Sequence, residues 1–468
     1  MKRSIRLLCF LYVLCCTVFV VAQPYAIQHL GVENGLSNNF VLSMAQDKRG
    51  CIWVATEVGL NRFDGNGFTV YKQHNSEIAG DALNTLLYDE KEDVLWMGGK
   101  FGGLCAWEGK SGCFRTYQAR NGMKLENIVH LAKANDGGIW ITPHHYDPIY
   151  FDSRSHRFTS LSDMGIQLDC RSNLCAFADG DLLYVGHYRG GMSIIDLKKK
   201  TTRRMLHDPS VPQSLPGHSV YSLYKDRLGH LWVGTEWGLG LLDSSTGRFT
   251  VFRHVPGRIS SLVADRVYDI CETADGKLWI ACDVGGISIL DLSQITFKHP
   301  EEVCFENLLS AVTGKGLSSS NIRKVLQDSY GNIWIGNYSC GLDFISHRPP
   351  VFQICGDRPV YGMYRGEEGQ LWVGGENELL LYKNDSLAKR FDICCDMLCS
   401  YGWVAAIIDD GQGFLLLGLS DNGILRTELR TGKTERVPMG IRDVRVMTFF
   451  RDTDEKIWIG TVLGLYSY

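Results

Sequence analysis

The feature that most constrains this chain is a phrase repeated ten times: an acidic or Gly-rich turn, an apolar residue, Trp, an apolar residue and Gly. It reads DKRGCIWVAT at 47–56, DRLGHLWVGT at 226–235, DSYGNIWIGN at 328–337, GEEGQLWVGG at 366–375 and DEKIWIGT at 454–461. Its central position holds Trp53, Trp96, Trp140, Trp232, Trp279, Trp334, Trp372 and Trp458, with Tyr184 and Leu416 in two weaker copies. Successive copies lie 38 to 55 residues apart, a period that belongs to solenoids, propellers or arrays.

Each copy carries four short β-rich runs. In the fifth, SVYSLYKD, LWVGT, LGLLDSS and RFTVFR alternate with RLGH, EWG and TG, the composition of antiparallel strands joined by tight hairpins. A helical repeat needs long stretches free of Gly and Pro, yet 51 Gly are spread through the chain. Glycines near the middle of each repeat fit turns that need positive φ. The expected fold is all-β, built of four-stranded propeller blades.

The first residues are a separate piece. MKRSIR is basic, LLCFLYVLCCTVFVV is apolar, and Val20-Val21-Ala22 offers small residues to a peptidase, so residues 1–22 read as a secretory leader, with an uncleaved anchor as the alternative. No later apolar stretch approaches the length of a membrane span, which predicts an exported, periplasmic chain. The formal charge is −4, or −7 without Lys2, Arg3 and Arg6. A mildly acidic chain with no basic stripe does not suit nucleic acid. Of the sixteen cysteines, most sit singly where a small buried residue fits. Cys105 with Cys113, and Cys170 with Cys175, are spaced for local disulfides, while Cys394, Cys395 and Cys399 lack His partners at zinc spacing.

A propeller must satisfy the edge where its chain ends meet. The first seven copies make one ring, 24–348, and Pro349-Pro350 in SHRPPVFQ marks a boundary. Residues YAIQHLG (25–31) resemble the outer strand of other repeats and have no preceding blade, so they are placed to complete the seventh. Repeats eight to ten, 349–468, form a partial second propeller, an open arc that dimerisation could complete.

The segment GLSNNFVLSMAQDKRGCIWVATEVGLNRFDG at 35–65, with the recurring GxLWIGTxxGLxxxD, resembles the two-component regulator propeller repeat of periplasmic sensors in Bacteroidetes-type hybrid two-component systems. The resemblance extends over nearly all of 24–468. It implies a sensor propeller that, in the family, precedes an immunoglobulin-like domain, a membrane helix, a histidine kinase, a receiver and a DNA-binding region, none of which follows here.

Catalytic signatures are wanting: there is no GxSxG, HExxH or Walker loop, and no cofactor motif. Asp47, Asp136, Asp179, Asp226, Asp275 and Asp328 recur before the Trp strand, where an Asp side chain bonds turn amides. With strands lettered a to d outward from the axis, the b–c turn after the Trp strand shares a face with the loop entering strand a. Those b–c turns carry Glu57, Lys100-Phe101, His144-His145-Tyr146, His187-Tyr188-Arg189, Glu236-Trp237, Asp283 and Asn337-Tyr338. The entering loops add Asn39, Asn84, His218, Arg266 and Asn321. Aromatic faces stack on sugar rings while amides and charges bond hydroxyl or acid groups. The ligand candidates are therefore Trp237, Tyr188, Arg189, Tyr338, His144, His145, Tyr146, Glu236 and Arg266, and the expected ligand an oligosaccharide. An exported propeller glycosidase or lyase using Glu57, Glu236 or Asp283, or a protein-interaction scaffold, are the rival functions.

Overall fold

The computed structural model describes residues 25–119, 123–294, 302–310, 316–347, 358–366, 369–383, 386–393, 402–421, 423–438 and 444–468. The leader at 1–22, the Pro349-Pro350 pair and Cys394, Cys395 and Cys399 lie outside these residues. The chain is an all-β propeller protein. Its ten antiparallel sheets follow in sequence order, nine of four strands and one of three. Helical structure among the described residues is confined to short 3-10 turns, among them Val32–Asn34 and Leu292–Gln294. The chain divides into two compact units, residues 1–349 and 350–468.

In the first unit the innermost strands are Val41–Gln46, Leu83–Asp89, Ile128–Lys133, Asn173–Asp179, Val220–Lys225, Val267–Glu272 and Ile322–Gln327. Each lies against the next, and the seventh lies against the first, so the cycle closes around an axis. The outermost strand of the seventh sheet is Ile27–Leu30, which pairs antiparallel with Leu342–Ile345 from Ile27↔Ile345 to Leu30↔Leu342. The two ends of the ring thus share one sheet, and the edge that the last hairpin would expose is hydrogen-bonded.

The repeated phrase explains the sheet-to-sheet packing. Trp53, Trp232 and Trp334 are buried, and each indole N–H donates to the Asp six residues earlier: Asp47 at 2.9 Å, Asp226 at 2.8 Å and Asp328 at 3.0 Å. The other oxygen of each carboxylate accepts two amides of the a–b turn, as Asp226 does from Leu228 and His230. One side chain therefore closes the hairpin and orients the wedge. Asp136, Asp179 and Asp275 stand at other spacings and do not reach a Trp. Asp136 takes the Tyr150 hydroxyl, Asp179 pairs with Lys225, and Asp275 takes Thr273.

The Gly of the phrase has a role distinct from a turn. A Cβ at Gly98 would stand 2.5 Å from Ile128 Cγ2, and at Gly234 2.7 Å from Val267 Cγ1. These glycines admit the first residue of the next sheet's innermost strand. Gly336 makes the same approach to Val41, 2.6 Å away, across the closure of the ring. The mid-repeat glycines, by contrast, are true positive-φ turns, with Gly59 at 126° and Gly238 at 124°.

The second unit repeats the pattern in three sheets whose inner strands are Gly362–Arg365, Val404–Asp409 and Val446–Arg451. Gly374 meets Val404, and Gly418 meets Val446. In the copy lacking Trp, Arg426 takes the place of the indole N–H, 2.8 Å from Asp410. Cys105, Cys113, Cys170 and Cys175 are free thiols, so the local disulfides that the spacing allowed are not formed. No helix among the described residues is long and apolar enough to cross a membrane.

Candidate ligand-binding face

The b–c turns and the entering loops are stitched together on one face of the first unit. Lys100 N donates to Ala82 O, His144 N to Asn127 O, Asp283 N to Arg266 O and Tyr338 N to Asn321 O, at 2.9–3.0 Å. Gly341 N reaches Asn39 O across the ring closure. Beneath them, each of the seven innermost strands carries a register shift at its second residue, a bulge. A bulge re-aims the side chain it displaces, and all seven of these residues are half-buried, each following a fully buried first residue. They therefore line the mouth of the axial channel.

This lining is unequal. Leu42, Asn84, Val129 and Leu174 occupy the position in the first four sheets, whereas the fifth to seventh carry Tyr221, Tyr268 and Arg323. Tyr221 and Tyr268 lie with ring centres 4.7 Å apart. The Arg323 guanidinium sits 3.6 Å over Tyr268 and 4.3 Å over Tyr338, whose edge meets Phe40 at 5.1 Å. Ring and guanidinium contacts thus run without a break from the fifth sheet to the first. Arg266 lies on the rim beside them, 2.8 Å from Asp283, and this hydrogen bond raises its pKa. Burial raises the Tyr221 pKa, with the nearby Tyr268 and Glu236 adding to the shift.

The residues singled out from sequence part into three groups. Tyr338 and Arg266 belong to the mouth cluster, and Glu236 lies at its edge, accepting the amides of His218 and Ser219 at 2.9 and 2.5 Å. Trp237, next along, leans outward onto His207 and His218 at 5.3 and 5.1 Å and lines a small cavity of about 210 Å³ with Pro209, Pro212 and Arg253. Tyr188 carries Arg189 over its ring at 5.3 Å, and Arg189 holds a left-handed backbone at φ 51°.

The His144-His145-Tyr146 turn serves other ends. His144 Nδ1 bonds Asn173 O at 2.7 Å, and its ring lies tilted against His145 at 4.2 Å. Tyr146 lines a separate cleft of about 1030 Å³ with Lys124, Arg157 and Arg171, between the outer strands of the second and third sheets. His187 and Asn337 are not turn residues but buried strand ends. His187 bonds Ser193 and Asn173, and burial pulls its pKa down to about 4. Among the described residues no cluster of His, Cys, Asp and Glu could hold a metal ion.

Four segments, 35–58, 214–237, 261–283 and 316–339, match the two component regulator propeller family. Each runs from an entering loop through strands a and b to the b–c turn, so the matched unit is the part of the sheet that builds this face. The extracellular domain assigned to a hybrid two-component system of B. thetaiotaomicron is 30% identical, with a TM-score of 0.60, over 95% of this chain and 59% of that one. A 41-residue stretch is 46% identical to Histidine kinase P4 of Formosa agariphila, covering 9% of this chain and 3% of the kinase. The present chain thus spans 59% of the solved relative and a small part of the kinase. Virginiamycin B lyase from Staphylococcus aureus, 14% identical with a TM-score of 0.52 over 69% of this chain and 100% of its own, shares the fold. Fold and face together define a repeat-built β-propeller whose turns gather at the mouth of an axial channel. Its repeats are those of the two-component regulator propeller family.

Proposed function

We propose that this chain is the ligand-recognising part of an exported two-component sensor and that its ligand is a polar oligosaccharide bound at the channel mouth. The aromatic and cationic arc of Tyr221, Tyr268, Arg323 and Tyr338 carries the reading, because it concentrates stacking faces and donors on one side of a mouth lined elsewhere by Leu42, Asn84, Val129 and Leu174. Arg266 and Glu236 border the site, Trp237 and the Tyr188–Arg189 pair offer contacts farther out, and His144, His145 and Tyr146 are assigned no ligand role. The likeness to an extracellular sensor domain supports placement outside the cytoplasm, to which residues 1–22 would direct the chain.

Recognition is favoured over catalysis because the carboxylates on this face are committed. Glu57 pairs with Lys100 at 3.6 Å, Glu236 holds two backbone amides, and Asp283 holds Arg266. The test is a glycan array probed with the labelled chain. Wild type should bind a restricted set of oligosaccharides, and Tyr268→Ala should lose it. Binding of none, or unchanged binding by Tyr268→Ala, would refute the site.

A further inference from the structure

Among the described residues, three cations beside the arc are neutralised within the protein, and Arg323 is not. Arg266 pairs with Asp283, Lys100 with Glu57, and Lys324 with Asp269 at 2.8 Å. Arg323, between Lys324 and the buried Ile322, has no ion-pair partner among the described residues, and its Nε is buried with no hydrogen bond. Tyr268 and Tyr338 cover its two faces, which fixes the plane of the guanidinium and leaves its edge for hydrogen bonding. A planar fork of N–H donors matches a carboxylate or sulfate in bidentate fashion. Held by stacking, it gives up little freedom on binding. A buried donor without a partner is costly, and an anion drawn to the guanidinium would offset that cost.

We propose that Arg323 is an anion-binding residue and that the ligand carries an acidic group, a carboxylate or a sulfate, placed against its edge while the neighbouring ring of the saccharide lies along Tyr221 and Tyr268. This deepens the saccharide reading of the same mouth and rests on it for the remainder of the ligand. It also ascribes to the fifth to seventh sheets a chemistry that Leu42, Asn84, Val129 and Leu174 on the other side of the mouth lack.

The test compares wild type, Arg323→Gln and Arg323→Lys in the full chain on an array of neutral, uronate-containing and sulfated glycans, with D-glucuronate, inorganic sulfate and D-glucose as small probes in ligand-observed NMR. Thermal melts first establish that each variant is folded; should Arg323→Gln not fold, the Lys variant and the wild-type salt dependence carry the test. Wild type should bind acidic glycans, more weakly as ionic strength rises, and Arg323→Gln should lose roughly 10- to 100-fold in affinity, the worth of a charged hydrogen bond. Arg323→Lys should recover only part, since it keeps the charge but not the fork. The uronate and sulfate arms tell which acid the site takes. Binding confined to neutral glycans and indifferent to Arg323 would overturn the anion site and leave the saccharide reading standing. Small anions bound through Arg323 with no glycan bound would do the reverse, and no response to any probe would sink both.

Discussion

Replacing Asp226 by Asn tests the link between the turn and the Trp wedge. Asp226 accepts four hydrogen bonds: Leu228 N and His230 N at 3.0 and 2.8 Å on one oxygen, Trp232 Nε1 and His230 Nδ1 at 2.8 and 3.0 Å on the other. An amide is isosteric but has only one acceptor. In either orientation it sets an N–H against an N–H, and the donor stranded in the better orientation is the indole of Trp232, which is 0% exposed. A buried donor left unpaired costs about 1–3 kcal/mol, so Asp226→Asn should destabilise the first unit by about 2 kcal/mol. Asp226→Ala, which also frees the turn amides, should cost about 3–5 kcal/mol. Denaturant unfolding followed by circular dichroism measures both. On a Trp232→Phe background, where the indole donor is gone, the Asn penalty should shrink to under about 1 kcal/mol, a coupling that a double-mutant cycle isolates. A penalty for Asp226→Asn below about 0.5 kcal/mol, or one unchanged by Trp232→Phe, would refute the argument.

The remaining expectations use other parts of the molecule. Trp232→Ala should cost roughly 3–5 kcal/mol through the lost wedge, whereas Trp237→Ala, at a position 44% exposed, should cost under about 1 kcal/mol; comparable losses would show Trp237 to be core. Gly336→Ala should destabilise the first unit by about 1–3 kcal/mol through overpacking against Val41, and Val41→Ala should partly rescue it; absence of rescue would mean that the seventh and first sheets do not meet there. Deleting residues 24–31 should make the segment around Leu342–Ile345 protease-sensitive, with residues 24–348 of the intact chain more resistant than 349–468; equal resistance throughout would refute that division. Burial, with Arg204 adding to it, holds the His187 pKa at about 4 against an ordinary 6.5. The unfolded chain therefore binds the extra proton, so the contribution of neutral His187 is complete above pH 6.5 and falls by up to about 3 kcal/mol as pH drops toward 4. His187→Gln should flatten that part of the stability profile, and an unchanged slope would count against it.

Sequence disclosed what the repeat copies and obscured what it varies. The Trp wedges and the four-stranded units were legible because each recurs in register. The Asp residues were legible only as turn formers, since the indole partner lies across the hairpin. The signal for it was the constant spacing at 47/53, 226/232, 328/334 and 452/458, where Asp452 also reaches Trp458 at 2.7 Å. The Gly of the phrase was harder still, because the side chain it accommodates belongs to the next repeat, as Val267 does for Gly234. Tyr221, Tyr268 and Arg323 escaped notice for a different reason. A regular strand would send its second residue toward a neighbouring sheet, and only the bulge turns it to the channel. Aligning the innermost strands would have exposed them: the first column is Val, Leu, Ile, Asn, Val, Val, Ile, while the second runs Leu, Asn, Val, Leu, Tyr, Tyr, Arg. The first column is confined to shapes that pack against the preceding sheet. The second is released from packing by the bulge, and there the chain departs from its own repetition. In a protein made of copies, selection for a ligand can act only on positions that the architecture leaves free, which is why the proposed site is placed at the columns that break the pattern and not at those that define it.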